Sequence, residues 1–548
     1  MPCSPPLREA NLEALAGRVH DVLVVGAGIN GAASAAALAG GGASVALVDR
    51  GDFGGLTSQE SSNLVWGGIK YLENLELALV WKLCRSRNEL LRSYPANVRE
   101  IRFLAPVARA PRARSRARLL AGAWLYWVIG RCATRPPRLL GVERLSREEP
   151  AVNAELVRGA VEYSDARLVD GDARFVFGFV RRALDHGAAA ANYVEIERCV
   201  RDAALWRCAA VDRVGRRRFE VRARLLVNAT GPYVDELNAA NGVRTRTRHL
   251  LSKGIHLVVG RITSADRVLV FFDASDRMFF VIPLGERSLV GTTDTRVAHP
   301  ATRVTDDDRR FVLENLERWL RRERPLGAGD VIAERCGVRP LAVGAADGAE
   351  GKAWTALSRR HAIEVERARC CISVFGGKLT DCLNVGAEVA ARAVELGVAL
   401  PRQRERWYGE PSEDERRRFA AEARRIGLDD GPGDSDGEPL SARWWRRYGA
   451  DAFGLLDAIG DDPRLAEPVI AGTRCRRVEL VHAARREMVV KLEDFLRRRT
   501  QIALVRRRDE LRRDPGLREA CERLAGPRAD QLLAEYLGEA AAGDPAPP

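Results

Sequence analysis

Residues 21–50 read DVLVVGAGINGAASAAALAGGGASVALVDR, and this stretch decides the fold. Val22 to Val25 is a short apolar run, the pattern of a parallel strand buried on both faces. Gly26, Gly28 and Gly31 follow at G-x-G-x-x-G spacing. The first permits a sharp turn, the second lets backbone approach a pyrophosphate, and the third lets helix pack on strand. The helix is alanine-rich, and its N-terminus offers free N–H groups to phosphates. Ser44 to Val48 is the second strand. Asp49 ends it, where an acid suits hydrogen bonding to a ribose 2′-hydroxyl and argues against a 2′-phosphate. The unit binds a dinucleotide, with FAD and NAD both open on this stretch alone.

The 548 residues allow more than one domain, and 46% hydrophobic with 30% charged residues fits a globular chain. A formal charge of +13 suits an anionic substrate, an anionic membrane surface or nucleic acid, and equally an arginine-rich composition with no such partner. The eleven cysteines are scattered without C-x-x-C, so neither a zinc knuckle nor a thioredoxin-like site is indicated and no metal is expected. Their odd count and the lack of a secretory signal favour a reducing compartment. Residues 1–20 read as a flexible lead-in. No run approaches ~18 apolar residues, so no spanning helix is expected.

Residues 51–74, GDFGGLTSQESSNLVWGGIKYLEN, form a Gly/Ser/Thr-rich loop before an apolar-periodic helix through Leu90. Such a loop supplies hydroxyl and N–H groups to a cofactor, here from Thr57, Ser58, Ser62, Gly67 and Gly68. G-A-G-I-N-G, G-D-F, T-S-x-x-S-S and G-G-I-K-Y-L-E together resemble the FAD-dependent glycerol-3-phosphate dehydrogenase family and its oxidase branch. The resemblance implies FAD as cofactor and oxidation of sn-glycerol 3-phosphate to dihydroxyacetone phosphate by hydride transfer to flavin N5. Electrons would pass to quinone, or to oxygen in the oxidase branch. Two positions depart from the family: Trp66 stands where it has His, and Lys70 where it has a phosphate-binding Arg. Lysine keeps the charge but loses the planar fork.

Residues 111–131, PRARSRARLLAGAWLYWVIGR, place a basic cluster before an apolar segment with Trp124, Tyr126 and Trp127. By composition this is either a helix lying in the headgroup region or an ordinary buried helix with a basic lead. The family's peripheral membrane association selects the first. No nucleic-acid module surrounds the basic run, and no nucleic acid is expected.

Asp172 to Leu184 reads as a helix and Ala190 to Val200 as a strand region, with Val200 a cofactor contact. RLLVN (224–228) is a buried strand leading into A-T-G-P-Y-V-D, which sets Gly231 near the pyrophosphate and favours FAD over NAD. LLSKGIHLVVGR (250–261) and the alternating runs through Thr295 suggest a mixed or antiparallel sheet. Lys253, Gly254, His256, Arg277, Pro283, Thr292, Thr293 and Asp294 match the family there, while Ile255 replaces its serine. On residue type alone, His256 on a strand reads as a core histidine. C-G-V-R-P-L (336–341), S-R-R-H (358–361) and F-G-G-K-L-T (375–380) also resemble family motifs. Gly376 and Gly377, with Lys378 and Leu379, open a helix whose N–H groups suit a flavin.

The expected fold is α/β, α+β overall: a Rossmann-like FAD-binding domain, a mixed-sheet substrate domain and a C-terminal helical domain. FAD-binding segments span about 21–100, 150–245 and 345–397, and substrate segments about 101–149 and 246–344. Residues 398–548 form the helical domain, with a linker through Glu415 and a disordered tail. The resemblance implies His256 as base, Arg339 as oxyanion stabiliser, Lys378 as charge near the flavin, and Arg359, Lys70 and Tyr71 as phosphate ligands. It implies a cytoplasmic protein on the inner membrane face; homodimerisation stays open. Trp66 and Lys70 leave a rival, an FAD oxidoreductase of another hydroxy or amino acid. A non-catalytic flavin-binding membrane partner is the other.

Overall fold

The computed structural model describes residues 6–109, 115–202, 204–273, 277–344, 360–430 and 437–538. Two sheets organise them. The first runs Ala362–Glu366, Cys371–Phe375, Arg218–Asn228, Val19–Val25, Val45–Val48, Ala189–Ala191. All neighbours from Cys371–Phe375 to Ala189–Ala191 pair in parallel. Val22, Val24, Val45 and Leu47 face one helical layer, and Leu23, Ala46 and Val48 face the opposite side. Burial on both faces is what a continuous apolar strand requires.

The helix Ile29–Gly40 buries nearly all its side chains. Its alanines admit the helix Cys382–Glu395 so closely that a Cβ at Gly386 would lie 2.8 Å from the Ala33 carbonyl oxygen. The second sheet is mixed. Its order is Thr295–Val297, Thr247–Gly260, Arg287–Gly291, Met278–Leu284, Arg267–Phe272, Val98–Ala108, Val157–Leu168, Leu64–Val65. Ala333–Gly344 pairs along Thr247–Gly260. The described residues from Glu413 to Leu537 are helical, with two small cores of their own.

Several expectations need correction. Residues 6–17 are not a flexible lead-in but a helix with Leu12 and Leu15 buried. Buried Arg8 fixes it, donating through Nη2 to Asp212 at 2.5 Å and to the Asn192 carbonyl at 2.8 Å. Val157–Leu168 and Leu64–Val65 belong to the second sheet, not to the FAD-binding segments, because their backbones pair with Val98–Ala108 and with each other. The stretch read as a linker is docked. Trp407 packs where a Cβ at Gly40 would come within 2.6 Å, and Glu410 accepts from the N–H groups of Ala96 and Asn97, both at 3.0 Å. Residues 475–504 are helical, but in pieces. Arg477–Arg486 ends before Met488, whose φ is +50°, and a π-helical turn, Asp494–Arg499, follows. The tail after Gly538 lies outside the described residues.

Candidate active site

The carboxyl ends of three parallel strands line up, with Val25 beside Asn228 and Asn228 beside Ser373. Ligands of such sheets bind outside this edge. Each strand runs into a glycine turn there. Gly26 has φ +97°, and a Cβ on it would lie 2.6 Å from the Ala229 carbonyl oxygen. Gly28 precedes the helix Ile29–Gly40, whose Ile29 N–H donates to Ser58 Oγ at 2.9 Å. Gly31 packs against the Gly26 carbonyl. Gly231 has φ +60°, and a Cβ there would meet nothing within 4 Å. Asp49 accepts from Ala27 N–H at 2.7 Å and Gly51 N–H at 2.9 Å, which sets its carboxyl beside the glycine turn; burial pushes its pKa up. This open cradle of glycines, with a helix N-terminus and an acid, fits the ADP half of a dinucleotide such as FAD.

The third turn is held differently from expectation. The Gly376 N–H donates to His249 Nε2 at 3.0 Å, and Asn30 Nδ2 donates to the Gly376 carbonyl at 2.9 Å. Gly376 thus spends its N–H within the protein. Gly377, with φ +100°, packs against the Asn30 side chain, and Leu379 starts a short 3-10 turn. Thr57 Oγ1 donates to the Val338 carbonyl at 2.5 Å, tying the loop to the second sheet. The Gly67 N–H donates to buried Asp165 at 3.1 Å, and a Cβ at Gly68 would come 2.6 Å from the Tyr71 ring, so both glycines serve close packing. Val200 is misplaced as a cofactor contact. It is 44% exposed and lies towards the outer turn of the hairpin Val194–Asp212. Val194, whose N–H donates to the Asp49 carbonyl at 2.7 Å, occupies the inner position instead.

The second sheet carries the other half of the site. His256 is buried, and its Nε2 shares a 2.9 Å hydrogen bond with Ser62 Oγ. Burial, followed by the guanidiniums of Arg335 and Arg339, holds its pKa well below the usual histidine range. Ser62 is therefore a partner of His256, a role its place in a hydroxyl-rich loop does not disclose. Arg339 lies over Gly254, where no side chain could fit beneath the guanidinium. It donates to Thr292 Oγ1 at 2.7 Å and the Thr293 carbonyl at 3.2 Å, and its Nη1 is 3.5 Å from Asp294.

Lys378 places its ammonium 4.3 Å from the Tyr71 ring centre and 5.2 Å from that of Trp66. Trp66 packs on Phe280 at 6.4 Å between ring centres. Phe280 pairs with Gly291, and Gly291 with His256, so these residues share one sheet face. Phe280 is therefore roughly 10 Å, two strand spacings, from His256. Lys70 is half-buried on the turn Ile69–Leu72 beside Tyr71. Arg359 lies outside the described residues.

The chain and its fold are similar to those of known proteins. The family FAD dependent oxidoreductase matches residues 21–353, and the C-terminal domain of alpha-glycerophosphate oxidase matches residues 437–523. The chain is 30% identical over 502 residues to a glycerol-3-phosphate dehydrogenase of Pseudomonas aeruginosa, covering 89% of this chain and 92% of that protein. It is 31% identical over 524 residues to glycerol-3-phosphate dehydrogenase 1 of Mycobacterium tuberculosis, covering 91% and 95%. The solved glycerol-3-phosphate dehydrogenase of Bacillus halodurans, complexed with FAD, has the same fold, with a TM-score of 0.71 at 22% identity over 98% of each chain. Family match and relatives together establish that the chain belongs to the FAD-dependent glycerol-3-phosphate dehydrogenases.

Proposed function

We propose that this chain oxidises sn-glycerol 3-phosphate to dihydroxyacetone phosphate. The observation that carries this is a buried, Ser62-bonded His256, its pKa lowered by burial, on one sheet face with Arg339 nearby and the Lys378 cluster across it. FAD, held along the glycine turns, would supply the acceptor for the hydride leaving the carbinol carbon. The protein's own residues handle the proton and the charges. In the tautomer whose Nε2–H donates to Ser62 Oγ, His256 keeps its Nδ1 lone pair to take the hydroxyl proton. Arg339 stabilises the developing oxyanion. Lys70, Tyr71 and Arg359 are the residues assigned to the phosphate, and Lys378 adds positive charge beside Tyr71.

Membrane association is supported by the helix Arg116–Ile129, on which Trp124, Leu125 and Val128 are 42%, 48% and 59% exposed. No helix among the described residues is long and apolar enough to cross a membrane. A surface helix beside the substrate sheet suits delivery of electrons to a membrane quinone. Trp66 favours one alternative, a substrate of different shape such as another hydroxy or amino acid, because it brings bulk to the Lys378 side of the site. The test is the visible flavin spectrum of the purified protein under anaerobic conditions. Glycerol 3-phosphate should bleach it. Bleaching by a hydroxy or amino acid alone would select the alternative.

A further inference from the structure

We propose that Arg497, in the C-terminal helical region, is a positioning residue for His256. This rests on the reading of His256 as the base. The connection runs through the loop 59–63. Arg497 Nη2 donates to both carboxylate oxygens of Glu60, at 2.8 and 2.9 Å, and to the Glu334 carbonyl at 3.2 Å. The Cys336 N–H donates to the same carboxylate at 3.1 Å. Arg335, the direct cross-strand neighbour of His256, reaches the loop from the second sheet. It donates to Asp172 at 2.5 Å and to the Gln59 carbonyl, and its Nε lies 3.6 Å from Glu60. Asp172 in turn accepts from the Ser61 N–H at 2.8 Å. Ser62, the next residue, holds Nε2 of His256 at 2.9 Å.

Glu60 has little freedom in this setting. Its side chain is 7% exposed, and a Cβ at Gly337 would come 2.7 Å from its own Cβ. A carboxylate buried this deeply stays ionised only while its cations are present. Without Arg497, Glu60 either takes a proton or swings towards water. Both release the backbone that aims Ser62. His256 then loses the partner that holds its ring at Nε2, although nothing at the base itself has changed.

The test is a double-mutant cycle on the full-length flavoprotein: Ser62→Ala, Arg497→Ala and the pair, with Arg497→Lys as the conservative variant. Flavin content is measured for each. Each single substitution should lower kcat for glycerol 3-phosphate by about tenfold to a hundredfold with little change in KM. The pair should be no worse than the worse single, and Arg497→Lys should recover part of the loss. A second readout is independent of turnover. In protein labelled with 15N-histidine, which has seven such residues, the His256 ring signals should shift alike in Ser62→Ala and Arg497→Ala. Losses that multiply in the pair would overturn the proposal, as would unchanged His256 signals in Arg497→Ala. If Arg497→Ala does not fold, Glu60→Gln takes its place in the cycle with the same expectations. A wild type that glycerol 3-phosphate cannot reduce defeats the functional reading alone, since the ring signals still report the coupling.

Discussion

The ammonium of Lys378 stands 4.3 Å from the ring centre of Tyr71, with Trp66 completing the other wall at 5.2 Å. An ammonium over two aromatic faces is held by their quadrupoles, worth about 0.5–2 kcal/mol depending on desolvation. Trp66→Leu should remove one wall and lower kcat/KM by a few-fold to about thirtyfold. Trp66→Phe should keep most of the activity, because a face remains. Steady-state kinetics on the three proteins checks this; equal activity of Leu and Phe variants would show that Trp66 acts only as bulk.

The buried histidines give the protein an acid-side weakness. His249 is held down to about 4 by burial, and His256 lies well below 6.5 for the same reason, aided by Arg335 and Arg339. Both are neutral when folded and free to protonate when unfolded. Between 6.5 and the folded values the unfolded chain binds more protons, so stability falls as pH falls. Each histidine contributes up to about 1.4 kcal/mol per pH unit in that window. Denaturant unfolding at stepwise pH should show His249→Gln flattening this slope. An unchanged slope would mean that His249 is charged in the folded protein.

Asp52 joins two parts of the chain far apart in sequence. It accepts from Arg498 at 2.7 Å, from Arg499 at 2.7 and 2.9 Å, and from Asn192 at 2.7 Å, and all four side chains are buried. Taking one partner from such a cluster leaves buried charge uncompensated. Arg499→Ala should cost about 3–5 kcal/mol, measured by denaturant unfolding. A loss under 1 kcal/mol, the size of an exposed pair, would show that water screens the cluster.

The first parallel unit is legible in the sequence because its rules are local. An apolar run, three glycines and an acid each act within a few residues of one another. The Asp172–Asp185 helix is legible for the same reason. What is not legible depends on polar groups satisfied at a distance. Arg8, Glu60, Asp52 and Glu410 look like solvent residues by type, yet each is fixed by a partner more than a hundred positions away. The assignment of Val157–Leu168 fails similarly, since Glu162 and Asp165 interrupt its apolar pattern and are buried against distant partners, among them Arg102 and Arg87. His256 is found only through the family resemblance. Its partner Ser62 lies 194 residues away, and no local pattern connects them.

Membrane binding should depend on one side of a single helix. Tyr126 anchors Arg116–Ile129 by donating to Asp165 at 2.7 Å, which leaves Trp124, Leu125 and Val128 facing outward. These side chains are about half-exposed, so each would contribute on the order of 1 kcal/mol when its exposed part leaves water. Changing all three to Ser should abolish flotation with anionic vesicles while flavin content stays normal. Flotation equal to wild type would remove this helix from the membrane contact.

The phosphate assignment can be tested at Lys70, the position where a fork is replaced by a point charge. A phosphate dianion is best met by a bidentate guanidinium, and an ammonium supplies charge without that geometry. Lys70 sits on the turn that also carries Tyr71, and Tyr71 is fixed against the Lys378 ammonium, so a longer side chain at 70 starts from a constrained backbone. Lys70→Arg should therefore lower KM for glycerol 3-phosphate by a few-fold, on the order of 1 kcal/mol or less in binding. Lys70→Ala should raise it, and kcat should move less than KM in both, because the phosphate is remote from the bond that breaks. Unphosphorylated glycerol should be a poor substrate for all three proteins and indifferent to the residue at 70. If Lys70→Ala raises KM for glycerol and glycerol 3-phosphate equally, residue 70 shapes the site without holding the phosphate.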